Sequence, residues 1–100
     1  MKNKIKVSPS TKRELRSLGT RIRAARLRRE LPQKLISKRA SVSVDTVGRV
    51  EKGDATVSAG AYAMILQALG ILEGWGEIND PTGDALAEEQ LRKRAPRDMP

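Results

Sequence analysis

The 100-residue sequence contains no cysteine, histidine or phenylalanine, and its only aromatic side chains are Tyr62 and Trp75. Without cysteine the chain can form neither a disulfide nor a thiolate metal site. Without histidine it lacks the side chain that most often exchanges protons near neutral pH. There is also no glycine-rich phosphate loop and no evident pair of catalytic carboxylates. We therefore predict that the chain is not an enzyme and has no catalytic residue, metal site or cofactor.

The sequence also lacks any apolar run near the ~20 residues that are needed to cross a bilayer. Its first seven residues include three lysines but no apolar segment of the kind found in signal peptides. We therefore expect a cytoplasmic protein with no membrane partner. The length allows one small domain, and the shortage of aromatic residues predicts an aliphatic core.

Positive charge is concentrated in the first half of the chain. Residues 1–53 contain 16 basic and 4 acidic side chains, whereas residues 54–100 contain 4 basic and 8 acidic ones. A net charge of +12 beside one of −4 indicates a polyanion-binding face and a second surface with another role. A basic RNA-binding protein is an alternative, but sequence-specific RNA readers generally stack bases on aromatic side chains.

Apolar spacing and capping residues predict an all-α fold. Helix 1 is predicted from about Thr11 to Leu31, with capping by Thr11 and Glu14 or by Ser8 or Ser10, on an apolar stripe formed by Leu15, Leu18, Ile22 and Ala25. Further helices are predicted at 33–40, 44–52, between Ser58 and Gly70, and at 72–78. Residues 1–10 are expected to form a basic arm that is solvated, contacts DNA or pairs as a short strand across a dimer. Residues 79–100 are expected to be a linker and a flexible or partly helical tail.

Residues 33–53 predict two short helices that share one turn. Pro32 suits the first position of the first helix, Ser43 is expected to cap the second, and Gly53 to end it in a left-handed conformation. The helices can pack through apolar positions, namely Ile36, Ala40, Val42, Val47 and Val50. A helix pair of this kind, with a polar outer face on the second helix, fits the major groove of DNA.

This stretch resembles the helix-turn-helix of the Xre family, which includes the lambdoid phage repressors and the HipB-type antitoxins. The residues in family order and spacing are Arg26, Gln33, Ile36-Ser37, Val42-Ser43, Thr46-Val47, Val50-Glu51, Gly53 and Leu69-Gly70-Ile71. Ser37 and Ser41 depart from the family's usual alanine and turn glycine. The resemblance implies a five-helix, lambda-repressor-like DNA-binding domain at residues 11–78, with the helix-turn-helix at 33–53.

The resemblance also implies roles for individual residues. Arg26 is expected to pair with Glu51 as a structural clamp, and Gln33 to anchor a phosphate. Arg49 is expected to contact guanine, whereas Asp45 either accepts from cytosine or only orients Arg49. The full set of expected DNA-binding residues is Gln33, Ser43, Val44, Asp45, Thr46, Arg49 and Lys52.

At the level of function, the resemblance implies a transcriptional repressor that binds double-stranded operator DNA as a homodimer and lies at the nucleoid. The expected dimer interface consists of Ile71, Leu72, Trp75 and Ile78, and burial of Trp75 within one chain is the alternative. The HipB type further implies the antitoxin of a HipBA-like type II toxin–antitoxin operon, with a HipA-like serine/threonine kinase toxin as partner. A stand-alone phage-type or housekeeping Xre repressor is the competing interpretation.

Overall fold

The computed structural model of the chain describes residues 5–81, 83 and 88–93. All regular secondary structure in these ranges is helical, which confirms the all-α prediction. Four α-helices and a 3-10 helix follow in order: α1 (Pro9–Arg28), α2 (Gln33–Ala40), α3 (Val44–Glu51), α4 (Ala59–Ala68) and the 3-10 helix (Leu72–Glu77). Residues 88–93 are also helical. Within the described ranges, no helix has the length and apolar character required to span a membrane.

Helix α1 begins and ends earlier than predicted. The Oγ of Ser8 accepts a hydrogen bond from the backbone N of Thr11 at 3.1 Å, and Pro9 takes the first helical position, where a missing amide costs nothing. Of the alternative caps that the sequence offered, the structure has Ser8, so the helix starts two residues before Thr11 and includes residues 9–10 of the expected arm. Glu30 has a φ of 54°, a left-handed conformation that stops the helix before the predicted end. Residues 1–4 of the predicted arm lie outside the described residues.

Helices α2 and α3 form a tight pair at the predicted positions. Pro32 precedes α2 as its N-cap, not as its first residue. Ser41 adopts φ 58° and ψ 41°, the left-handed turn in which glycine is more usual. The Oγ of Ser43 accepts from the backbone N of Thr46 at 3.0 Å, as a cap should. Helix α3 ends at Glu51, one residue earlier than predicted, and Gly53 follows with a φ of 76°.

The core is aliphatic apart from one tyrosine. Helix α2 packs against both α3 and α4, and α1 packs against α3. The buried hydrophobic residues come from all four α-helices and the cap of the last one: Ile22, Ala25, Ile36, Ala40, Val47, Val50, Tyr62, Ile65, Leu66 and Leu69. This arrangement encloses one face of α3 and leaves its other face outward.

Two glycines allow α1 to cross the end of α3 at very short range. A Cβ added to Gly19 would lie 2.6 Å from the carbonyl oxygen of Val50 and 2.7 Å from the backbone nitrogen of Gly53. A Cβ on Gly53 would lie 2.5 Å from the carbonyl oxygen of Leu15. Glycine in a helix interior costs up to about 1 kcal/mol relative to alanine, so this approach explains why Gly19 is present.

The segment after α4 leaves apolar side chains at the surface. Gly70 has a φ of 80° and ends the α4 region, as predicted. The predicted last helix is a 3-10 helix, and none of its residues is buried. Trp75 is 38% exposed and the following Ile78 is 84% exposed, so burial of the tryptophan within one chain is incomplete. Both residues line an apolar groove of about 1020 Å³ against α1.

Candidate nucleic-acid interface

The outer face of α3 carries polar and apolar groups that are open to solvent. Val44 is 44% exposed, the side chain of Asp45 is 80% exposed and that of Arg49 is 44% exposed. On the opposite face, Val47 and Val50 are fully buried. The 3.6-residue period of the helix explains this division, because positions 47 and 50 share the side that faces α2 and α1. Helix α3 thus packs against the core on one face and is exposed to solvent on the other.

Both ends of α3 carry further polar groups. Ser43 is exposed and Thr46 is partly exposed, and their hydroxyl oxygens lie 2.9 Å apart at the start of the helix. This is the end at which backbone amides and the helix dipole favour an anion such as a phosphate. Lys52 is exposed at the other end. On the neighbouring helix α2, Lys34 and Lys38 are exposed as well, which extends the positive surface.

A buried ion pair fixes the end of α3 to α1. Arg26 Nε donates to Glu51 Oε2 at 2.6 Å and Nη2 donates to Oε1 at 3.1 Å. The third nitrogen, Nη1, donates to the carbonyl oxygen of Leu31 at 2.9 Å. The hydrogen bond with Glu51 raises the pKa of Arg26 above its ordinary value, against the opposing effect of burial. The geometry is that of a clamp, and it withholds both residues from solvent.

Gln33 joins this pair from α2. Its Nε2 donates to Glu51 Oε1 at 3.0 Å, so one carboxylate receives hydrogen bonds from α1 and α2. The side chain lies over Gly48 of α3, because a Cβ on Gly48 would be 4.0 Å from Gln33 Nε2. Gln33 is also the first residue of α2 and is only half-buried. It is therefore held in place at a helix N-terminus, with its amide oxygen and second N–H able to bind a ligand.

Arg49 is held by the loop after α3. Its Nε donates to Asp54 Oδ2 at 2.9 Å and its Nη2 donates to Thr56 Oγ1 at 2.6 Å. The alternative role predicted for Asp45 is to orient Arg49. Its Oδ2 makes only a longer ion pair with Arg49 Nη1, at 3.8 Å. The hydrogen bond with Asp54 raises the pKa of Arg49. Hydrogen bonds from the Thr56 hydroxyl and then from Arg49 lower the pKa of Asp54 to about 2.

Sequence reasoning missed Asp54, Thr56 and Tyr62. The aspartate and threonine form a local turn, since Asp54 Oδ1 accepts from the backbone N of Thr56 at 2.8 Å. The Tyr62 hydroxyl donates to the backbone oxygen of Asp54 at 2.8 Å and so ties this loop to α4. An aspartate two residues before a threonine in a loop is a recognisable turn signal, although its contact with Arg49 is not.

The fold and this surface together define a helix-turn-helix DNA-binding protein: two short helices around a tight turn, with the second one exposed beside basic residues. The family model described as a helix-turn-helix domain matches residues 17–74, more than half of the chain. The chain belongs to this family. Neither a comparison with curated proteins nor one with solved structures found a match.

Proposed function

We propose that the protein is a sequence-specific transcriptional repressor that binds operator DNA with α3 in the major groove. The observation that carries this proposal is the outward face formed by Val44, Asp45 and Arg49 on a helix whose other face is fully buried. Each of these side chains suits a base edge. Arginine donates to guanine O6 and N7, aspartate accepts from cytosine N4, and valine contacts the methyl group of thymine.

Residues around this face suit contacts with the DNA backbone. Gln33 lies at the start of α2, Ser43 and Thr46 at the start of α3, and Lys52 just beyond its end. Contacts of this kind fix the orientation of a protein on the duplex, whereas base contacts supply sequence preference. The net charge of +12 on residues 1–53 supplies long-range attraction to phosphates.

The proposed repressor binds as a homodimer. One recognition helix reads a half-site, and a two-fold dimer reads two half-sites about 34–36 Å apart on the duplex. The proposed interface is formed by Ile71, Leu72, Trp75 and Ile78. In support, Trp75 and Ile78 expose apolar surface and line an apolar groove against α1.

The more specific proposal is an antitoxin that represses its own HipBA-like operon. It is supported by the resemblance to HipB-type antitoxins, and its partner would be a HipA-like serine/threonine kinase toxin. The acidic second half of the chain, with a net charge of −4, is the surface proposed to hold this toxin. A pull-down that identifies both co-purified protein and bound DNA tests this. A kinase in the eluate supports the antitoxin role, and operator DNA alone supports a stand-alone repressor.

The DNA-binding proposal is tested by selecting bound sequences from a random double-stranded library with the purified protein. We expect a consensus with two related half-sites. Arg49→Ala should relax preference at one or two base pairs per half-site, at a cost of about 1–3 kcal/mol of discrimination. Selection of no consensus by the unaltered protein would rule out sequence-specific repression.

A further inference from the structure

We propose that Asp54 and Thr56 are positioning residues that set the base preference of Arg49 without touching DNA themselves. The inference rests on the proposed function, because it requires Arg49 to read a base. It deepens that function by assigning sequence discrimination to the loop between α3 and α4.

The loop occupies one edge of the Arg49 guanidinium. Nε donates to Asp54 and Nη2 donates to Thr56, and in the planar guanidinium these two nitrogens direct N–H bonds along the same edge. Asp45 Oδ2 is 3.8 Å from Nη1, which is too far for a hydrogen bond. The edge formed by Nη1 and the second hydrogen of Nη2 is therefore left for a ligand. It offers two parallel donors, the pattern that matches guanine O6 and N7.

Asp54 and Thr56, which accept hydrogen bonds from Arg49, are fixed in place by further hydrogen bonds. Asp54 Oδ1 accepts from the Thr56 hydroxyl at 2.7 Å, and the Asp54 backbone N donates to the Arg49 carbonyl oxygen at 3.0 Å. Tyr62, which is only 4% exposed, donates from its hydroxyl to the Asp54 backbone oxygen. The position of the guanidinium is thus connected through a short loop to the core. A long side chain that would otherwise sample many rotamers is restricted to one direction before DNA arrives.

The charge of Asp54 has a second consequence. A carboxylate next to Arg49 offsets the attraction of the guanidinium to phosphates, which carry no sequence information. Asp54 therefore disfavours binding of Arg49 to the DNA backbone and favours the base contact for which it is oriented. Removing the carboxylate should strengthen binding to non-operator DNA while weakening discrimination among operators.

The test compares the unaltered protein with Asp54→Ala, Thr56→Val and Thr56→Ser. First, Arg49→Ala identifies the base pair at which preference depends on Arg49. Each protein is then titrated with operator duplexes carrying all four base pairs at that position. A bidentate arginine contact gives roughly 5- to 150-fold discrimination there, from the 1–3 kcal/mol typical of such contacts. We expect Asp54→Ala and Thr56→Val to reduce this discrimination among base pairs at least threefold. Thr56→Ser keeps the hydroxyl and should retain the discrimination.

The outcomes separate this inference from the proposed function. If Arg49→Ala changes preference at a base pair but Asp54→Ala and Thr56→Val do not, the positioning role is overturned and the DNA-reading role of α3 stands. If Arg49→Ala changes no preference while the unaltered protein still selects a consensus, the positioning role and the base contact of Arg49 are both overturned, and sequence-specific binding by the rest of α3 stands. Loss of affinity for every sequence without loss of discrimination would indicate a structural effect and would also contradict the positioning role. Thr56 is exposed, so Thr56→Val keeps the test decisive should Asp54→Ala fail to fold.

Discussion

Arg26 and Glu51 are 25 positions apart in sequence and face each other as a buried two-point ion pair, with donor–acceptor distances of 2.6 and 3.1 Å. Because Gln33 donates to the same carboxylate, Glu51 joins α1, α2 and α3 at one point. The far end of the exposed helix is thus fixed by electrostatics, while its middle is fixed by apolar packing. The orientation of the proposed DNA-reading face depends on both.

Removing one partner of this pair should strongly destabilise the fold. Arg26→Ala leaves the Glu51 carboxylate buried without its cation, for which about 3–5 kcal/mol of unfolding free energy is typical. Urea denaturation followed by circular dichroism measures it. Arg28→Ala, on an exposed position of the same helix, is the matched control and should stay within about 0.5 kcal/mol of the unaltered protein. A loss below about 1 kcal/mol for Arg26→Ala would show that the pair is dispensable.

Gly19→Ala should destabilise the protein even though alanine is the better helix former. The added methyl group would lie within 2.7 Å of three backbone atoms of α3 and its end, and backbone cannot move away as a flexible side chain can. The helix must shift, at a cost of about 1–3 kcal/mol that exceeds the propensity gain of up to about 1 kcal/mol.

The control for this prediction is Gly60→Ala in α4. A Cβ there meets only Ser58 Oγ, at 3.8 Å, which is an ordinary contact. The midpoint temperature of thermal unfolding should be at or above that of the unaltered protein for Gly60→Ala and below it for Gly19→Ala. Equal midpoints for the two variants would contradict the close approach of α1 to α3.

The helix-turn-helix could be predicted from sequence because its signals are local. Ser43 caps α3 through a hydrogen bond with Thr46, only three residues away. The burial of Val47 and Val50 follows from their spacing along one helix. The start of α1 was harder to predict, since Ser8, Ser10 and Thr11 are all competent caps and the choice depends on Pro9. Capture of Arg49 by Asp54 depends on the path of a loop, which periodicity does not encode.

The exposure of Trp75 likewise depends on how the 3-10 helix sits against α1, and spacing does not determine this. The four residues of the expected dimer interface differ in burial: Ile71 and Leu72 are partly buried and pack against the core, whereas Trp75 is partly exposed and Ile78 is largely exposed.

The Asp54 carboxylate should stabilise the fold down to unusually low pH. Its pKa falls from the ordinary 3.8 to about 2 because Thr56 and Arg49 donate hydrogen bonds to the anion. A lowered pKa contributes stability that is fully present above the unfolded value of 3.8 and is lost as pH falls through about 2. The difference in unfolding free energy between the unaltered protein and Asp54→Asn should therefore be constant at neutral pH and shrink across that window.

Denaturant titrations at a series of pH values measure this difference, and the other acidic groups cancel because both proteins contain them. Thr56→Val removes the largest cause of the lowered pKa, so it should shift the window upward toward 3.8. If the difference in unfolding free energy between the unaltered protein and Asp54→Asn disappears already near pH 4, the hydrogen bonds to Asp54 do not persist in solution.

Gln33→Ala should weaken binding to operator and non-operator DNA by the same factor. The proposed contact of Gln33 is with a phosphate, and phosphates are alike in every sequence. Titrations with both DNA types at one salt concentration measure the two factors, and Arg49→Ala serves as the contrast because it should lower operator affinity selectively. A change in base preference caused by Gln33→Ala would instead assign this residue to base reading.

Trp75→Ala should weaken the proposed dimer. An interface tryptophan commonly contributes 2 kcal/mol or more, so the dimer dissociation constant should rise about 30-fold or more, as measured by sedimentation equilibrium. Leu91→Ala is the matched control, since Leu91 is a large exposed hydrophobic residue (65%) outside the proposed interface and should leave the constant unchanged. Affinity for a full operator should fall with the dimer, while affinity for an isolated half-site should not. A dimer that is equally stable in both variants would exclude the surface around Trp75 as the interface.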